Sequence, residues 1–408
     1  MALISAAEAL ARVLQSVAAP VGAEQVPIDD AAGRTLAAPL AALRTQPPFA
    51  ASAMDGYAVR AADLPSVPWR LQVVGRSVAG RRHDGMMLRA GEAVRIFTGA
   101  PVPEGADAIA IQEDTDLGET EVEVRERPVP GRFIRPAGLD FREGETLLHA
   151  GDRLDARRLA LAAAMGHAVL PVRRRPRVAV VATGDELVRP GEAAGPDQIV
   201  ASNPYAVRAI VERAGGETVD LGIARDTLPD LDRAITAARD EPADLLVTLG
   251  GASVGDHDLV GAALASSGME LGFWRIALRP GKPLMHGKLG PMLLIGLPGN
   301  PVSSIVCGVL FIVPAIRALL GDPHAGDDPT EAAVLGSDLP ENDARQDYMR
   351  ASLIRGSEGD LVATAGSRQD SSMLATLAVS EALIVRAPHA PAARAGDRCR
   401  IIRLDRYC

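Results

Sequence analysis

The 408-residue sequence is poor in aromatic residues, with only 6 Phe, 4 Tyr and 2 Trp. So few rings provide little material for a platform that stacks nucleic-acid bases or for an aromatic membrane belt. The sequence also has no positive excess, because 43 Lys and Arg residues against 52 Asp and Glu residues give a formal net charge of −9. This charge disfavours nucleic-acid partners and anionic membrane surfaces.

Cysteines and long apolar runs are equally scarce. The three cysteines, Cys307, Cys399 and Cys408, form no CxxC or Cys/His pattern, which favours a reducing compartment over a disulfide scaffold. Glu8 and Arg12 interrupt the apolar N-terminal stretch, which therefore does not resemble a signal peptide. The most apolar later segment, residues 303–316, is shorter than the ~20 residues that a bilayer requires. We expect a soluble, cytoplasmic protein with no membrane partner.

The sequence does contain turn-forming residues, with 40 Gly and 30 Pro, and its length suggests roughly three domains. Ser5 and Glu8 form a capping box that predicts a helix through about Val17, and residues 154–170 predict a second helix. The short β-prone runs between them predict an inserted all-β region. These runs are 71–74, 94–97, 108–111 and 122–124.

From Val178 onward, strand and helix patterns alternate, which predicts βαβ units around a mainly parallel sheet. The predicted strands are 178–182, 219–223, 245–249, a fourth near 274–278, and 292–296. Asn203 before Pro204 and Asn300 before Pro301 predict helix starts with asparagine caps. Short strands return after about residue 325 and predict a small C-terminal β domain.

Each strand of the predicted sheet is followed by glycines, acids or basic residues. Because ligands bind beyond the carboxyl ends of strands in open α/β sheets, we expect these turns to form one rim. The turns are Thr183-Gly184-Asp185-Glu186, Arg225-Asp226, residues 250–258 with Gly250, Gly251, Ser253 and Asp258, Arg279-Pro280-Gly281-Lys282, and Leu297-Pro298-Gly299-Asn300. The glycine-rich turn matches neither GxGxxG nor a P-loop, so a tight turn without a ligand is an equally open interpretation.

Three acids on this rim, Glu186, Asp226 and Asp258, would repel one another unless a cation joined them. Carboxylate oxygens of this kind suit Mg²⁺. For any single acid the simpler interpretation is a helix cap, and Asp226 precedes a predicted helix that begins after Thr227. Three acids at successive strand ends favour a metal site instead.

Arg279 and Lys282 supply the opposite charge and suit a phosphate or another oxyanion, with a solvated strand end as the alternative. The spacing of the histidines gives no metal-ligand pair, and no Ser/His or Cys/His nucleophile constellation is visible.

Several segments together resemble one family. They are Ser52-Ala53-Met54-Asp55-Gly56-Tyr57-Ala58, Thr98-Gly99-Ala100-Pro101-Val102-Pro103, Thr183-Gly184-Asp185-Glu186-Leu187, Gly250-Gly251-Ala252-Ser253-Val254-Gly255-Asp256-His257-Asp258, Arg279-Pro280-Gly281-Lys282-Pro283 and Gly296-Leu297-Pro298-Gly299-Asn300-Pro301. The sequence resembles the molybdopterin molybdenumtransferase family, which includes MoeA and the gephyrin E domain. The matching segments keep the family's order over nearly the whole chain.

The resemblance implies a multidomain α/β plus β fold and a homodimer. The implied domains are a helical linker domain at 1–45 and 146–172, a β domain at 46–145, a MogA-like α/β domain at 173–325 with a mainly parallel sheet, and a C-terminal β-barrel domain at 326–408. The implied reaction inserts molybdate into adenylylated molybdopterin, with Mg²⁺-dependent cleavage of the pyrophosphate linkage and release of AMP. Other proteins of molybdenum cofactor biosynthesis are further expected partners.

The resemblance also assigns site residues. Glu186, Asp226 and Asp258 resemble the acids around pyrophosphate and Mg²⁺, Lys282 and Arg279 resemble cations that meet phosphate or molybdate, and Asp140 resembles a further functional acid. Asp55 lies in a segment that reaches the partner subunit's cleft in the family. Substrate-binding roles are implied for Thr98, Gly99, Thr183, Gly184, Asp185, Gly250, Gly251, Ser253, Pro298, Gly299, Asn300, Arg350 and Ser371.

Two other functions stay open at this point. The α/β domain could adenylylate the pterin, as the MogA fold does, although the segment around Asp55 and the extra β domains favour the transferase. The protein could also be a non-catalytic pterin-binding scaffold, which the rim acids and Lys282 argue against.

Overall fold

The centre of the chain is a six-stranded sheet in the computed structural model, which describes residues 3–85, 87–251, 259–357 and 359–408. Its strands run in the order Glu217–Ala224, Arg177–Thr183, Leu245–Leu249, Met292–Leu297, Met285–Leu289 and Glu270–Trp274. The first four are parallel, as the strand–helix alternation predicts, and the last two pair antiparallel. The parallel strands read as apolar runs because helices cover both faces of the sheet.

The side chains of successive residues in one strand pack into hydrophobic cores on opposite faces of the sheet, because side chains alternate across a sheet. Val180 lies in a hydrophobic cluster with the helices Asn203–Ala214, Pro301–Cys307 and Val313–Leu319 and the N-terminal helix Ala6–Gln15. Val181 lies in a second cluster, with the helices Leu228–Asp240 and Leu259–Ser266. The strands Leu187–Val188 and Ile199–Val200 form a small separate pair.

The prediction of a strand at 274–278 is wrong. The chain pairs within the sheet over Glu270–Trp274, and Leu278–Arg279 then pairs with the C-terminal strand Gln346–Arg355. The strand Met285–Leu289 (MHGKL) was not predicted, because its glycine, histidine and lysine break the apolar pattern. Residues 279–282 therefore belong to a connection between the sheet and the C-terminal barrel.

The inserted region is all-β, as its β-prone runs predict. Five strands run in the order Ala108–Ile111, Gly56–Val59, Glu92–Ile96, Trp69–Ser77 and Glu121–Val124. The short strands Ala51–Ser52 and Ile134–Arg135 form a separate antiparallel pair. Three-residue 3-10 turns lie at Ile28–Asp30, Ala61–Asp63 and Gln112–Asp114.

The segments on either side of the insertion are held together by paired strands. Ala23–Pro27 pairs with Val169–Arg173, and Leu40–Ala41 pairs with Thr146–Leu148. The helix predicted over 154–170 is shorter, Ala156–Ala164, since Gly166 adopts a positive φ of 99° and the chain continues into a strand. The Ala- and Leu-rich composition alone did not reveal this change.

The C-terminal region is a closed five-stranded barrel. The strands Gln346–Arg355, Leu361–Ala365, Glu331–Leu335, Arg398–Arg403 and Ala382–Arg386 follow one another, and the last pairs with the first. The short helix Leu374–Ala378 and the turn Leu404–Arg406 complete it. The multidomain α/β plus β fold expected from the sequence is confirmed.

One long apolar helix spans Pro301–Leu319, with a π-helical turn at Gly308–Ile312. At 19 residues it exceeds the expected segment, and it alone among the described helices is long and apolar enough to cross a membrane. In this structure 78% of that stretch is buried inside the protein. Its length is therefore explained by its place under the central sheet.

Candidate active site

A cleft of about 980 Å³ opens where the parallel strands end, and loops of the barrel form its other side. Four strand-end turns reach it, together with the connection at 279–282. The predicted site residues that line it are Thr183, Glu186, Asp226, Gly250, Gly251, Arg279, Lys282, Pro298, Gly299, Asn300 and Ser371. Parallel strands bring their carboxyl ends to one edge, which explains why residues far apart in sequence meet here.

The glycines allow two turns to approach closely. Gly250 and Gly251 both have positive φ values, and a Cβ at Gly250 would lie 2.7 Å from the carbonyl oxygen of Thr183. A Cβ at Gly299 would have one close neighbour, the Cα of Gly250 at 3.8 Å. A Cβ at Gly250 would collide with Thr183 and one at Gly251 with Val260, so the turn requires glycine at both positions.

Two of the acids that line the cleft form no ion pair with any residue that the structure describes. They are Glu186 and Asp226, and the backbone N–H of Asp226 donates to Asp185 Oδ1 at 3.4 Å. Asp226 is exposed, yet partial desolvation raises its pKa, and the negative charges of Asp185 and Glu186 raise it further. The alternative of a helix cap is wrong for Asp226, because Thr227 caps that helix.

Asp185 and Gly184 lie beside the cleft without lining it. The Glu186 carboxylate folds back over Gly184, where a Cβ would collide with it. Ser253 and Asp258 fall outside the described residues. Within the described ranges, no group of three or more His, Cys, Asp or Glu side chains is placed to hold a metal ion.

Three basic residues line the cleft in the part of the chain that the structure describes. Lys282 is exposed, and its side chain makes no hydrogen bond or ion pair with another described residue. Arg279 instead pairs with Asp347 and, at 3.2 Å, with Asp343, both from the barrel region. Hydrogen bonding to Asp347 raises the pKa of the Arg279 guanidinium. Arg279 therefore joins the two sides of the cleft.

Arg345 is the third basic residue of the cleft and was not predicted from the sequence. It donates to Asp343 Oδ2 at 2.7 Å, and this contact lowers the pKa of Asp343 to about 2. No strand-end motif marks Arg345, which precedes the barrel strand that pairs with Leu278–Arg279. That pairing is a long-range feature, which explains why local patterns missed the residue.

The two asparagines predicted as helix caps instead form bonds across the cleft. Asn203 lies inside its helix, after the cap position Ser202, and its Nδ2 donates to the carbonyl oxygen of Gly299 at 2.7 Å. Asn300 occupies the cap position, but its Nδ2 donates to Ser371 Oγ at 2.9 Å. The side-chain capping expected of both is therefore wrong, and both amides hold the turn at 298–300.

Arg350 does not reach the cleft, contrary to the direct oxyanion contact implied for it. Its side chain is 1% exposed, and its guanidinium donates to the carbonyl oxygens of Asp370 at 2.8 Å, Arg368 at 3.1 Å and Met373 at 3.3 Å. Its donors are thus used on the loop that carries Ser371. Arg350 positions that loop from behind.

The remaining predicted residues lie away from this cleft. Asp55 Oδ1 accepts bonds from the backbone N–H of Thr98 at 2.7 Å and from its hydroxyl at 2.8 Å. These bonds lower the pKa of Asp55. Gly99, with φ of 80°, donates its N–H to the carbonyl oxygen of Ser52. Asp140 is exposed on a loop whose backbone bonds to Gln46.

Three family models match the chain. The model described as "MoeA N-terminal region (domain I and II)" matches residues 4–166, "Probable molybdopterin binding domain" matches 179–318, and "MoeA C-terminal region (domain IV)" matches 332–404. The cleft residues come from the second and third of these regions. Asp55, Thr98, Gly99 and Asp140 come from the first.

Whole-chain relatives agree with these models. A protein named molybdopterin molybdenumtransferase from Haemophilus influenzae is 35% identical over 93% of this chain and 93% of its own length. Molybdopterin molybdenumtransferase 2 from Mycobacterium tuberculosis is 39% identical over 80% of this chain and 82% of its own. A crystal structure titled as the molybdopterin biosynthesis MoeA protein of Pyrococcus horikoshii OT3 covers 98% of this chain and 99% of its own, with 25% identity and a TM-score of 0.85. The chain belongs to the molybdopterin molybdenumtransferase family.

Proposed function

We propose that this protein is an enzyme of molybdenum cofactor biosynthesis that transfers molybdenum to molybdopterin. Its substrates are adenylylated molybdopterin and molybdate. The reaction cleaves the pyrophosphate linkage, releases AMP and leaves molybdenum on the dithiolene of the pterin. The names of the relatives support the reaction class, and the cleft supports the finer description.

The proposal rests on one observation. Acids that form no ion pair line the same cleft as several basic residues. Glu186 and Asp226 lie there without cationic partners among the described residues, and Lys282 is exposed in the same cleft. A pyrophosphate linkage and an oxyanion bring several negative charges. A cleft that holds both needs positive charge beside its carboxylates, which Lys282 and Arg345 provide.

The carboxylates also fit a Mg²⁺ ion in donor type. The raised pKa of Asp226, caused by partial desolvation and then by Asp185 and Glu186, indicates a place where negative charge is poorly compensated. Glu186 and Asp226, with Asp258 outside the described residues, would hold the ion, and substrate oxygens and water would complete its shell. When bound, Mg²⁺ offsets the charge of the pyrophosphate and polarises its oxygens.

The basic residues of the cleft have two different roles, oxyanion binding and positioning of the barrel loops. The Lys282 ammonium binds an oxyanion directly, since no described acid neutralises it. Arg279 and Arg345, which share Asp343, line the same wall and keep the barrel loops in register with the cleft. Ser371, whose hydroxyl accepts a hydrogen bond from Asn300, lines the same cleft. Arg350 contributes by holding the backbone of that loop.

A homodimer would complete the site. Asp55 lies in the inserted β region rather than in the cleft of its own chain, and its carboxylate is held by Thr98. A partner subunit that presents this loop to the cleft would add a further acid there. The expected location is the cytoplasm, where the reduced dithiolene of the substrate persists.

The test is AMP release from purified adenylylated molybdopterin, measured with and without molybdate and Mg²⁺. The transferase requires both for release and for molybdenum on the pterin. New adenylylated pterin from molybdopterin and Mg-ATP would instead identify an adenylyltransferase. Pterin binding without AMP release on addition of molybdate would identify a scaffold, and either result would contradict the proposal.

A further inference from the structure

Arg95 lies close to Asp55 in the inserted β region and carries a charge that no acid pairs with. It belongs to the strand Glu92–Ile96 and comes three residues before Thr98, whose N–H and hydroxyl bind Asp55. Arg95 is half-buried, and among the described residues no acid forms an ion pair with its guanidinium. The position of this cation is therefore explained by its other contacts.

Two aromatic rings and two neutral acceptors hold the guanidinium. Its Cζ lies 4.8 Å from the centroid of the Tyr57 ring and 5.1 Å from the centroid of the Phe97 ring. Its Nη1 donates to the carbonyl oxygen of Gly56 at 3.4 Å, and its Nη2 donates to Gln112 Oε1 at 3.1 Å. A planar group with several donors suits this combination of contacts, which favours arginine over lysine here.

These contacts join the parts of the chain that surround Asp55. Gly56 follows Asp55 directly, and Gln112 follows the neighbouring strand and donates its backbone N–H to the carbonyl oxygen of Asp55 at 3.0 Å. Arg95 itself leads into the turn that carries Thr98. One guanidinium therefore connects both segments that bond to Asp55 with the segment that follows it.

The geometry leaves one oxygen of Asp55 for another partner. Both bonds from Thr98 end on Oδ1, at 2.7 Å and 2.8 Å, and Oδ2 has no hydrogen-bond partner among the described residues. The two Thr98 bonds lower the pKa of Asp55, and the nearby charge of Arg95 contributes to this lowering. Asp55 is therefore held as an ionised group with one oxygen unused.

We propose that Arg95 is a positioning residue that holds Asp55 and Thr98 in the geometry needed at the partner subunit's cleft, and that it does not itself bind substrate. The inference rests on the proposed function, in which Asp55 completes the site of a homodimer. A merely structural role for Arg95 would affect the stability of the β region and leave the rate per folded molecule unchanged.

The chain supplies a matched control in the same β region. The Cζ of Arg132 lies 4.7 Å from the centroid of the Phe133 ring, and its side chain is exposed. Arg132→Met therefore removes a cation–π contact of similar length and none of the bonds that Arg95 makes. Gln112→Leu is a milder second variant, because it removes one bond of Arg95 and leaves the arginine in place.

The experiment measures AMP release and amide hydrogen exchange of the full chain. Arg95→Met should lower kcat about tenfold and leave the KM for molybdate unchanged, because the residue orders Asp55 without contacting the oxyanion. In peptides that cover Thr98, its amide should exchange about tenfold faster, since its acceptor is no longer held in place. Gln112→Leu should give smaller changes in the same direction, and Arg132→Met should change neither quantity.

Several results would overturn the positioning role. An unchanged kcat, or an equal loss in Arg132→Met, would show that the arginine acts only on stability, as would faster exchange that extends to the strand Trp69–Ser77. A raised KM for molybdate would identify a substrate contact instead. Failure of the proposed function has a different signature, because the wild-type protein then releases no AMP while the exchange of the Thr98 amide still shows whether Arg95 holds Asp55.

Discussion

Two aspartates predicted to be catalytic lie in contrasting surroundings. Asp55, in the inserted β region, receives two hydrogen bonds from Thr98, which lower its pKa. Asp226, in the cleft, lacks a cationic partner among the described residues, and its pKa is raised by partial desolvation and by Asp185 and Glu186. The contrast teaches that the fold of one chain already stabilises the charge of Asp55, whereas the charge of Asp226 is left for a ligand or a metal ion to stabilise.

The largest expected effect follows from removing the uncompensated charge. Asp226→Asn should lower the rate of molybdenum transfer by about 10²- to 10³-fold while leaving the thermal midpoint equal or slightly higher. Asp232→Asn is the matched control, because Asp232 is exposed on the helix Leu228–Asp240 outside the cleft. The rate of molybdenum transfer and the thermal midpoint are measured for both variants. Wild-type turnover by Asp226→Asn would contradict a catalytic role for Asp226.

The second prediction tests whether Asp55 works in the partner's cleft. Asp55→Asn and Asp226→Asn proteins should each be nearly inactive alone. After mixing and subunit exchange, half of the dimers should be mixed, and each mixed dimer should hold one intact site, which restores about a quarter of wild-type activity. Activity assays after exchange measure this. No recovery despite confirmed mixed dimers would show that both acids serve the same chain.

The third prediction concerns a basic residue, Arg350, whose charge is also stabilised by the fold. Because its donors are bonded to loop carbonyls, Arg350→Met should lower the free energy of unfolding by about 3 kcal/mol, since those carbonyls lose their partners. Urea denaturation measures the loss. Arg345→Met is a suitable comparison, because Arg345 is only partly buried and should cost stability less. A stable Arg350→Met protein with weakened molybdate binding would restore the direct role implied by the family.

The smallest expected effect is the opposite pH dependence of the two aspartates. The pKa of Asp55 lies below its ordinary 3.8, so its stabilising contribution is present at neutral pH and disappears as the pH falls below that value. The pKa of Asp226 lies above 3.8, so its charge is unfavourable at neutral pH and the penalty disappears as the pH falls through the raised pKa. Urea denaturation of Asp55→Asn and Asp226→Asn between pH 7 and about 2.5 should show differences of opposite sign from the wild type, and on acidification the Asp226 difference should shrink first and the Asp55 difference only below pH 3.8. Differences that stay constant with pH would contradict both assignments.

Much of the fold followed from local patterns. The strands at 177–183 and 245–249 are apolar runs of ordinary length, and the helix after Ser5 has its predicted cap, with Ser5 Oγ accepting from the N–H of Glu8. The strand Met285–Leu289 has no such pattern, because its place beside Met292–Leu297 is decided by tertiary pairing. Local propensity does not record that pairing.

The site residues that follow directly after strands could be predicted from the sequence. The contacts that the sequence did not predict are those between residues far apart in the chain. Glu186 and Asp226 come directly after strands and were found. The bond between Asn203 and Gly299 and the enclosure of Arg350 by the loop at 368–373 join residues that are well separated in sequence. No spacing rule reveals which atoms of such residues are used and which are left for a ligand.

The burial of the helix Pro301–Leu319 has a practical consequence for work with fragments. Its hydrophobic cluster includes Leu383, Ile402 and Leu404 of the C-terminal barrel. A truncated chain that ends before the barrel would expose this apolar helix to water. Such a fragment would bind detergent and lipid and could be mistaken for an integral membrane protein. Deletion experiments on this chain should therefore retain the barrel.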